Sequence, residues 1–233
     1  MKAKSIFILS CVSILVGVMH VRAAEETPVL MMGDSMMRLL SIAMEKQLKA
    51  AGVQPASSFT SLASGLARLD AFDWFSKTTE LAKEYKPKTV VISLGANDRQ
   101  SLKDVSGRVV QFGMPEWEQE YSLRLGRIMD ELIKGGVNRI IWLKLPDMRE
   151  PAQQEYAKFV NTLFEKESLV ESRKEHVVLF DMGPLLTRRP GTFSKYVMAA
   201  NGAALTVRDV DGVHLTPPGA QRVAESLVHT FWK

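Results

Sequence analysis

From Thr27 onward, short apolar runs alternate with longer stretches whose apolar residues recur every three to four positions. A chain with that rhythm buries strands on both faces under helices, the pattern of a parallel sheet covered on each side. Val29-Leu30-Met31-Met32 is the first strand, ending at Gly33. A helix follows from about Met36 to Ala51, with Leu39, Leu40, Ala43, Met44 and Leu48 on one stripe and Gly52 as its stop. Phe59 to Leu62 is a weaker second strand, and Phe72 to Tyr85 a helix ended by Pro87. Thr89-Val90-Val91-Ile92-Ser93-Leu94 is apolar on both faces, as a central parallel strand must be. Pro115 to Lys134 reads as a long helix opened by its proline and stopped by Gly135-Gly136. Arg139 to Leu143 is a fourth strand, Pro151 to Arg173 a helix, and Val177 to Phe180 a fifth strand. The last helix has Thr216 as N-cap and Pro217 at its first position, with Val223, Leu227, Val228 and Phe231 on its buried stripe. The expected class is α/β with five parallel strands. Residues 183–210 show no period, and so long a connection in a compact domain is usually a functional loop.

The first residues follow another pattern. Lys2 and Lys4 precede an apolar stretch from Ile6 to Val18, and Val21-Arg22-Ala23 suits a signal peptidase. The expectation is a secretory signal over residues 1–23 and a single domain over 24–233. An uncleaved anchor and a lipoprotein box at Cys11 are the other readings of this segment. Cleavage removes the only cysteine, and takes the formal charge from +4 to +1 because Lys2, Lys4 and Arg22 leave with it. The basic balance of the whole chain therefore implies no nucleic-acid partner. The expected location is periplasmic or extracellular, with no stable membrane span once the signal is gone. With 46% hydrophobic and 24% charged residues, the chain resembles neither a disordered segment nor a disulfide scaffold.

Ligands of a doubly wound sheet sit at the carboxyl ends of its strands. The polar residues there are Gly33-Asp34-Ser35, Ser64-Gly65, Gly95-Ala96-Asn97-Asp98-Arg99 and, ahead of the last helix, Asp211-Gly212-Val213-His214. A serine hydroxyl needs a base to take its proton, and the base needs a third group to fix its tautomer. Ser35 stands at a strand-to-helix turn, and Asp211 and His214 are close enough in sequence to pair. Backbone N–H groups of Ser35 and Gly65, with the Asn97 amide, would form an oxyanion hole. Each block alone is a common turn sequence; their joint order is what carries the reading.

The four blocks resemble the SGNH (GDSL-like) hydrolase superfamily over nearly the whole chain after the signal. That resemblance implies a three-layer α/β/α, flavodoxin-like fold and esterase or acyltransferase chemistry through Ser35, Asp211 and His214. Gly33-Asp34-Ser35-Met36-Met37, Gly95-Ala96-Asn97-Asp98-Arg99-Gln100, Trp142-x-x-x-Pro146 and Arg208-x-x-Asp211-Gly212-x-His214-x-Thr216 look like a bacterial periplasmic branch of unknown substrate. Relatives in the superfamily remove or transfer acetyl groups on cell-envelope polysaccharides. Met36 and Met37 depart from the pattern by giving an apolar lip, and the second block is short, which leaves Gly65 weakly placed.

The expected function is hydrolysis of O-acyl, chiefly O-acetyl, esters on a saccharide. An O-acetyltransferase with the same triad and a non-catalytic glycan-binding protein are the alternatives. Asp34, Asp98, Arg99 and Arg208 are candidate substrate contacts, although Asp34 also suits a turn-holding role and both arginines could pair with acidic neighbours. Arg188, Arg189, Lys195 and Tyr196 in the long loop read as a solvated basic segment or a glycan contact. Trp117 and Tyr121 read as core. No metal-ligand spacing and no phosphate loop is present, so neither metal nor cofactor is expected.

Overall fold

The computed structural model describes residues 28–53 and 56–233, so the expected signal peptide lies outside the described residues. In chain order the elements are β1 (Val29–Gly33), α1 (Ser35–Ala50), β2 (Ala56–Thr60), α2 (Trp74–Tyr85), β3 (Thr89–Ser93), β4 (Leu102–Lys103), β5 (Val109–Val110), α3 (Pro115–Lys134), β6 (Arg139–Lys144), α4 (Pro151–Ser168), β7 (Val177–Asp181), α5 (Gly183–Leu186), β8 (Tyr196–Met198), β9 (Ala204–Thr206) and α6 (Pro217–Trp232). Five strands form one all-parallel sheet in the order β2-β1-β3-β6-β7, the doubly wound arrangement the alternation implied. On one side α1 packs against α6; elsewhere α3 packs between α2 and α4. β1 and β3 are buried along their whole length, which is why both read as continuous apolar runs.

Three boundaries differ from the sequence reading, each for a local reason. β2 is Ala56–Thr60 rather than 59–62; as a half-buried edge strand of sequence ASSFT it has little apolar signal. Leu62 instead lies in the turn beyond it and is exposed. α4 ends at Ser168, five residues early, where the Ser168 hydroxyl donates to the Glu165 carbonyl. Leu169 and Val170 beyond it are exposed, and the chain is tied back by Arg173, whose guanidinium pairs with Asp130 and Glu167. Residues 183–210 contain α5 and a β8–β9 hairpin rather than an unstructured loop.

Gly33 shows how the sheet brings the first block to its place. A Cβ there would lie 2.1 Å from the Ser93 carbonyl oxygen, so only glycine lets β1 end so close to β3. The Asp34 N–H then donates to that carbonyl at 2.9 Å, and the chain turns directly into α1. Ser35 is consequently the first residue of a 16-residue helix, at its positive end.

Candidate active site

Asp34 caps α1, its Oδ1 accepting from the Met36 N–H at 2.9 Å. The cap holds Ser35 at the helix start with its side chain directed to the loop before α6. There the His214 Nε2 lies 2.7 Å from the Ser35 Oγ, and the His214 Nδ1 lies 2.5 Å from the Asp211 Oδ2. A carboxylate can only accept, so Nδ1 carries the proton and Nε2 is left free to accept from the serine hydroxyl. The other Asp211 oxygen accepts from the N–H groups of Val213 and His214 at 2.7 and 3.0 Å. Partial burial raises the Asp211 pKa, but the bond to the His214 ring and the two backbone N–H bonds outweigh it and hold the carboxyl at about 2. Asp211 is therefore a carboxylate over the whole neutral range, and it orients the His214 ring.

This chain of three groups opens onto a cavity of about 400 Å³. Its walls include the apolar Met36, Leu39, Leu62 and Leu215, with Asn97 beside them. Asn97 is itself held: its Nδ2 donates to the Ser64 carbonyl at 2.9 Å, and the Gln100 side-chain amide donates to the Asn97 backbone carbonyl at 2.7 Å. One amide hydrogen of Asn97 remains for another acceptor. The arrangement can offer a nucleophile, a base and at least one oxyanion donor to a carbonyl placed at Ser35.

The family described as "Protein of unknown function (DUF459)" matches residues 28–230. The chain belongs to this family. No curated protein matches it in sequence. Among solved structures it is similar to a catalytic mutant of an acetylxylan esterase from Geobacillus stearothermophilus, with a TM-score of 0.55, 16% identity, and coverage of 87% of this chain and 93% of that one. The periplasmic domain of the Salmonella ser. Paratyphi A lipopolysaccharide acetyltransferase gives a TM-score of 0.56 at 14% identity, covering 89% and 84%. The C-terminal catalytic domain of Streptococcus pneumoniae peptidoglycan O-acetyltransferase A, with a methylsulfonyl adduct, gives 0.51 at 14%, covering 88% and 92%. At these identities the likeness establishes the fold, which is of the SGNH type.

The remaining candidates of this DUF459 chain agree with the sequence reading only in part. Gly65 is not among the residues lining the cavity. It is buried against Asp98, and a Cβ at position 65 would lie 2.0 Å from the Asp98 Oδ1. The wall in this segment is made by Leu62 and Ala63 instead, and Ala63 takes a left-handed φ of 54°. Asp98 is fully buried and accepts from Leu66 N–H at 2.9 Å, Ala67 N–H at 2.8 Å and the Tyr121 hydroxyl at 2.8 Å. It anchors the second block and cannot meet a substrate. Asp34 is equally buried and acts as the cap.

Arg208 is buried too, so it is no substrate contact. Its guanidinium donates to the carbonyls of Asp147 at 2.7 Å, Gly212 at 3.1 Å and Val213 at 2.8 Å. Two of those carbonyls belong to the residues between Asp211 and His214, so Arg208 fixes the turn that pairs them. Burial lowers its pKa to about 10, partly offset by the Asp211 charge, and it stays cationic at neutral pH. Arg149 grips the same turn from outside through the carbonyls of Val210 and Asp209. Both arginines stand over the Phe193 ring, at 5.2 Å for Arg208 and 5.0 Å for Arg149. Arg99 is exposed over the Phe112 ring at 5.9 Å and does not line the cavity. Trp117 and Tyr121 are fully buried and stack on each other in the core.

The sequence reading missed Arg38, Leu39, Leu62, Ala63, Asp209 and Leu215 as cavity residues. For Arg38 and Leu39 a signal existed, since they follow Ser35 by three and four residues on a helix and so share its face. The others are brought in by turns whose course has no sequence signature. Among the described residues no cluster of His, Cys, Asp and Glu could hold a metal ion, and no helix is long and apolar enough to cross a membrane.

Proposed function

We propose that this chain is an exported serine esterase that hydrolyses O-acyl, chiefly O-acetyl, esters carried on a saccharide. The carrying observation is the unbroken hydrogen-bonded series from Ser35 through His214 to Asp211, open to a cavity at the carboxyl ends of the strands. The fold shared with an acetylxylan esterase supports the acyl-ester chemistry. In the proposed cycle the Ser35 Oγ attacks the ester carbonyl while His214 Nε2 takes its proton. The Asp211 carboxylate stabilises the imidazolium, and the oxyanion receives the Ser35 N–H and the free Asn97 amide hydrogen. Collapse of the tetrahedral adduct breaks the ester C–O bond, with His214 returning the proton to the departing sugar oxygen. Water, deprotonated by His214, then hydrolyses the acyl-Ser35 ester and restores the serine hydroxyl.

The test is hydrolysis of p-nitrophenyl acetate by the protein and by Ser35→Ala. Turnover is expected to fall at least about a thousandfold in the variant, with unchanged circular dichroism. Undiminished turnover in a folded Ser35→Ala protein would overturn the assignment.

A second reading, O-acetyl transfer, is favoured by the likeness to two acetyltransferase domains. The first half of the cycle is the same, and a saccharide hydroxyl takes the place of water in the second. Partition of acetyl between free acetate and acetylated saccharide, with acceptor present, separates the two readings.

A further inference from the structure

Besides His214, two ionisable side chains line the cavity at Ser35, Arg38 and Asp209. The other charged groups around it are already engaged. Asp34 and Asp98 are buried and accept backbone N–H bonds, Asp211 holds His214, and Arg208 and Arg149 are spent on carbonyls. Arg38 and Asp209 are both exposed, and neither forms an ion pair among the described residues, with each other or with any third group. Arg38 stands one helical turn from Ser35 on the same face of α1, at the end of the helix where the backbone dipole also favours an anion. Apart from Ser35, Asn97 and His214, the rest of the wall is apolar. The Asp209 Oδ1 accepts from the Val210 N–H at 2.5 Å, which leaves its Oδ2, together with the Arg38 guanidinium, to meet a ligand in the cavity.

We infer that the saccharide carrying the ester is acidic, with a carboxylate that Arg38 takes as a two-point hydrogen-bonded pair while Asp209 accepts from sugar hydroxyls. The inference rests on the ester reading of the same site. A guanidinium matches a carboxylate in geometry as well as charge. Asp209 in the same cavity opposes a doubly charged group such as a phosphate monoester, whose second charge Arg38 alone would leave unbalanced. A monoanionic sugar, such as a uronic acid, satisfies both side chains.

The experiment measures binding of oligogalacturonate and of its carboxyl-reduced, neutral counterpart to the Ser35→Ala protein by titration calorimetry. Binding to the acidic saccharide is expected to be at least about fivefold tighter at low ionic strength, with the preference shrinking as salt rises. Arg38→Gln in the same background should bring the two affinities within about twofold, and Arg38→Lys should keep part of the preference because the charge stays and the fork goes. Equal binding of the two saccharides, binding of neither, or a preference untouched by Arg38→Gln would each overturn the inference. Acetate release from the O-acetylated forms of both, measured with Ser35 intact, keeps the two readings apart. Charge preference without Ser35-dependent release sinks the ester reading alone. Release without charge preference sinks this inference alone.

Discussion

Asn97 illustrates how little of a residue's role follows from its identity. Its side-chain amide is tethered by the bond from Nδ2 to the Ser64 carbonyl, while its backbone carbonyl accepts from the Gln100 amide and steadies the turn that carries it. A donor held in this way loses no freedom when charge develops on a nearby oxygen, which is where an oxyanion contact gains its strength. Asn97→Ala should therefore lower kcat for p-nitrophenyl acetate by roughly 10²-fold, with KM moved much less. Steady-state kinetics check this, and a loss confined to KM would place Asn97 in substrate binding instead. The Ser64 carbonyl would also lose its partner, so the melting temperature of the variant should be read beside the rate.

At the scale of elements, the second block is a short segment gripped from both sides. Asp98 takes the N–H groups of Leu66 and Ala67, and Arg124 donates to the carbonyls of the same two residues and, from the other side, to that of Lys103. Arg124 is itself buried and paired with Glu120 on α3. The turn is thus tied to the β3–β4 connection, to α3 and to the β4–β5 hairpin. Gly65→Ala would push a methyl group into the Asp98 carboxylate and force that grip apart. We expect a loss of about 3 kcal/mol in unfolding free energy, at the upper end for overpacking, measured from denaturant midpoints. The element boundaries set by capping residues and prolines were legible in the chain: Pro115, Pro151 and Thr216-Pro217 open α3, α4 and α6 where expected. The meeting of Ser35, His214 and Asp211 was legible because they sit at strand and helix ends, where topology brings them together. Gly65 and Arg208 were not, because their roles depend on side chains that meet across the fold. The close approach of the Asp98 carboxylate to Gly65 leaves no trace in the sequence. An arginine three residues before an aspartate gives no sign that it will turn inward to hold the backbone.

At the scale of the whole molecule, the site rests on buried acids that link its geometry to pH. Burial raises the Asp34 pKa to about 7; the Met36 N–H bond pulls it down and the neighbouring Asp98 charge pushes it further up. Its Oδ2 has no hydrogen-bond partner. Asp98 is also raised, again chiefly by burial and against the bonds it accepts from Ala67, Leu66 and Tyr121. For Asp34 the folded state binds the proton more tightly than the unfolded chain, whose carboxyl titrates near its ordinary value of 3.8. Its contribution is then fully present below about pH 4 and is lost as pH rises through 7, amounting to up to about 4 kcal/mol across that window. Asp211 works in the opposite sense, since its carboxyl is held down at about 2, and what it contributes is lost as pH falls from 4 toward 2. Asparagine at position 34 can still cap α1 through its side-chain oxygen but has no proton to lose. The difference in unfolding free energy between the protein and Asp34→Asn should therefore change steadily between pH 4 and pH 7 in favour of the variant, and level off above. Denaturant unfolding of both proteins at half-unit intervals measures that difference directly. A flat difference would mean that Asp34 is ionised in the fold at neutral pH, and that the acid beneath Ser35 has a compensating partner. A rising difference would mean that the helix carrying Ser35 is capped by a carboxyl that changes charge within the neutral range.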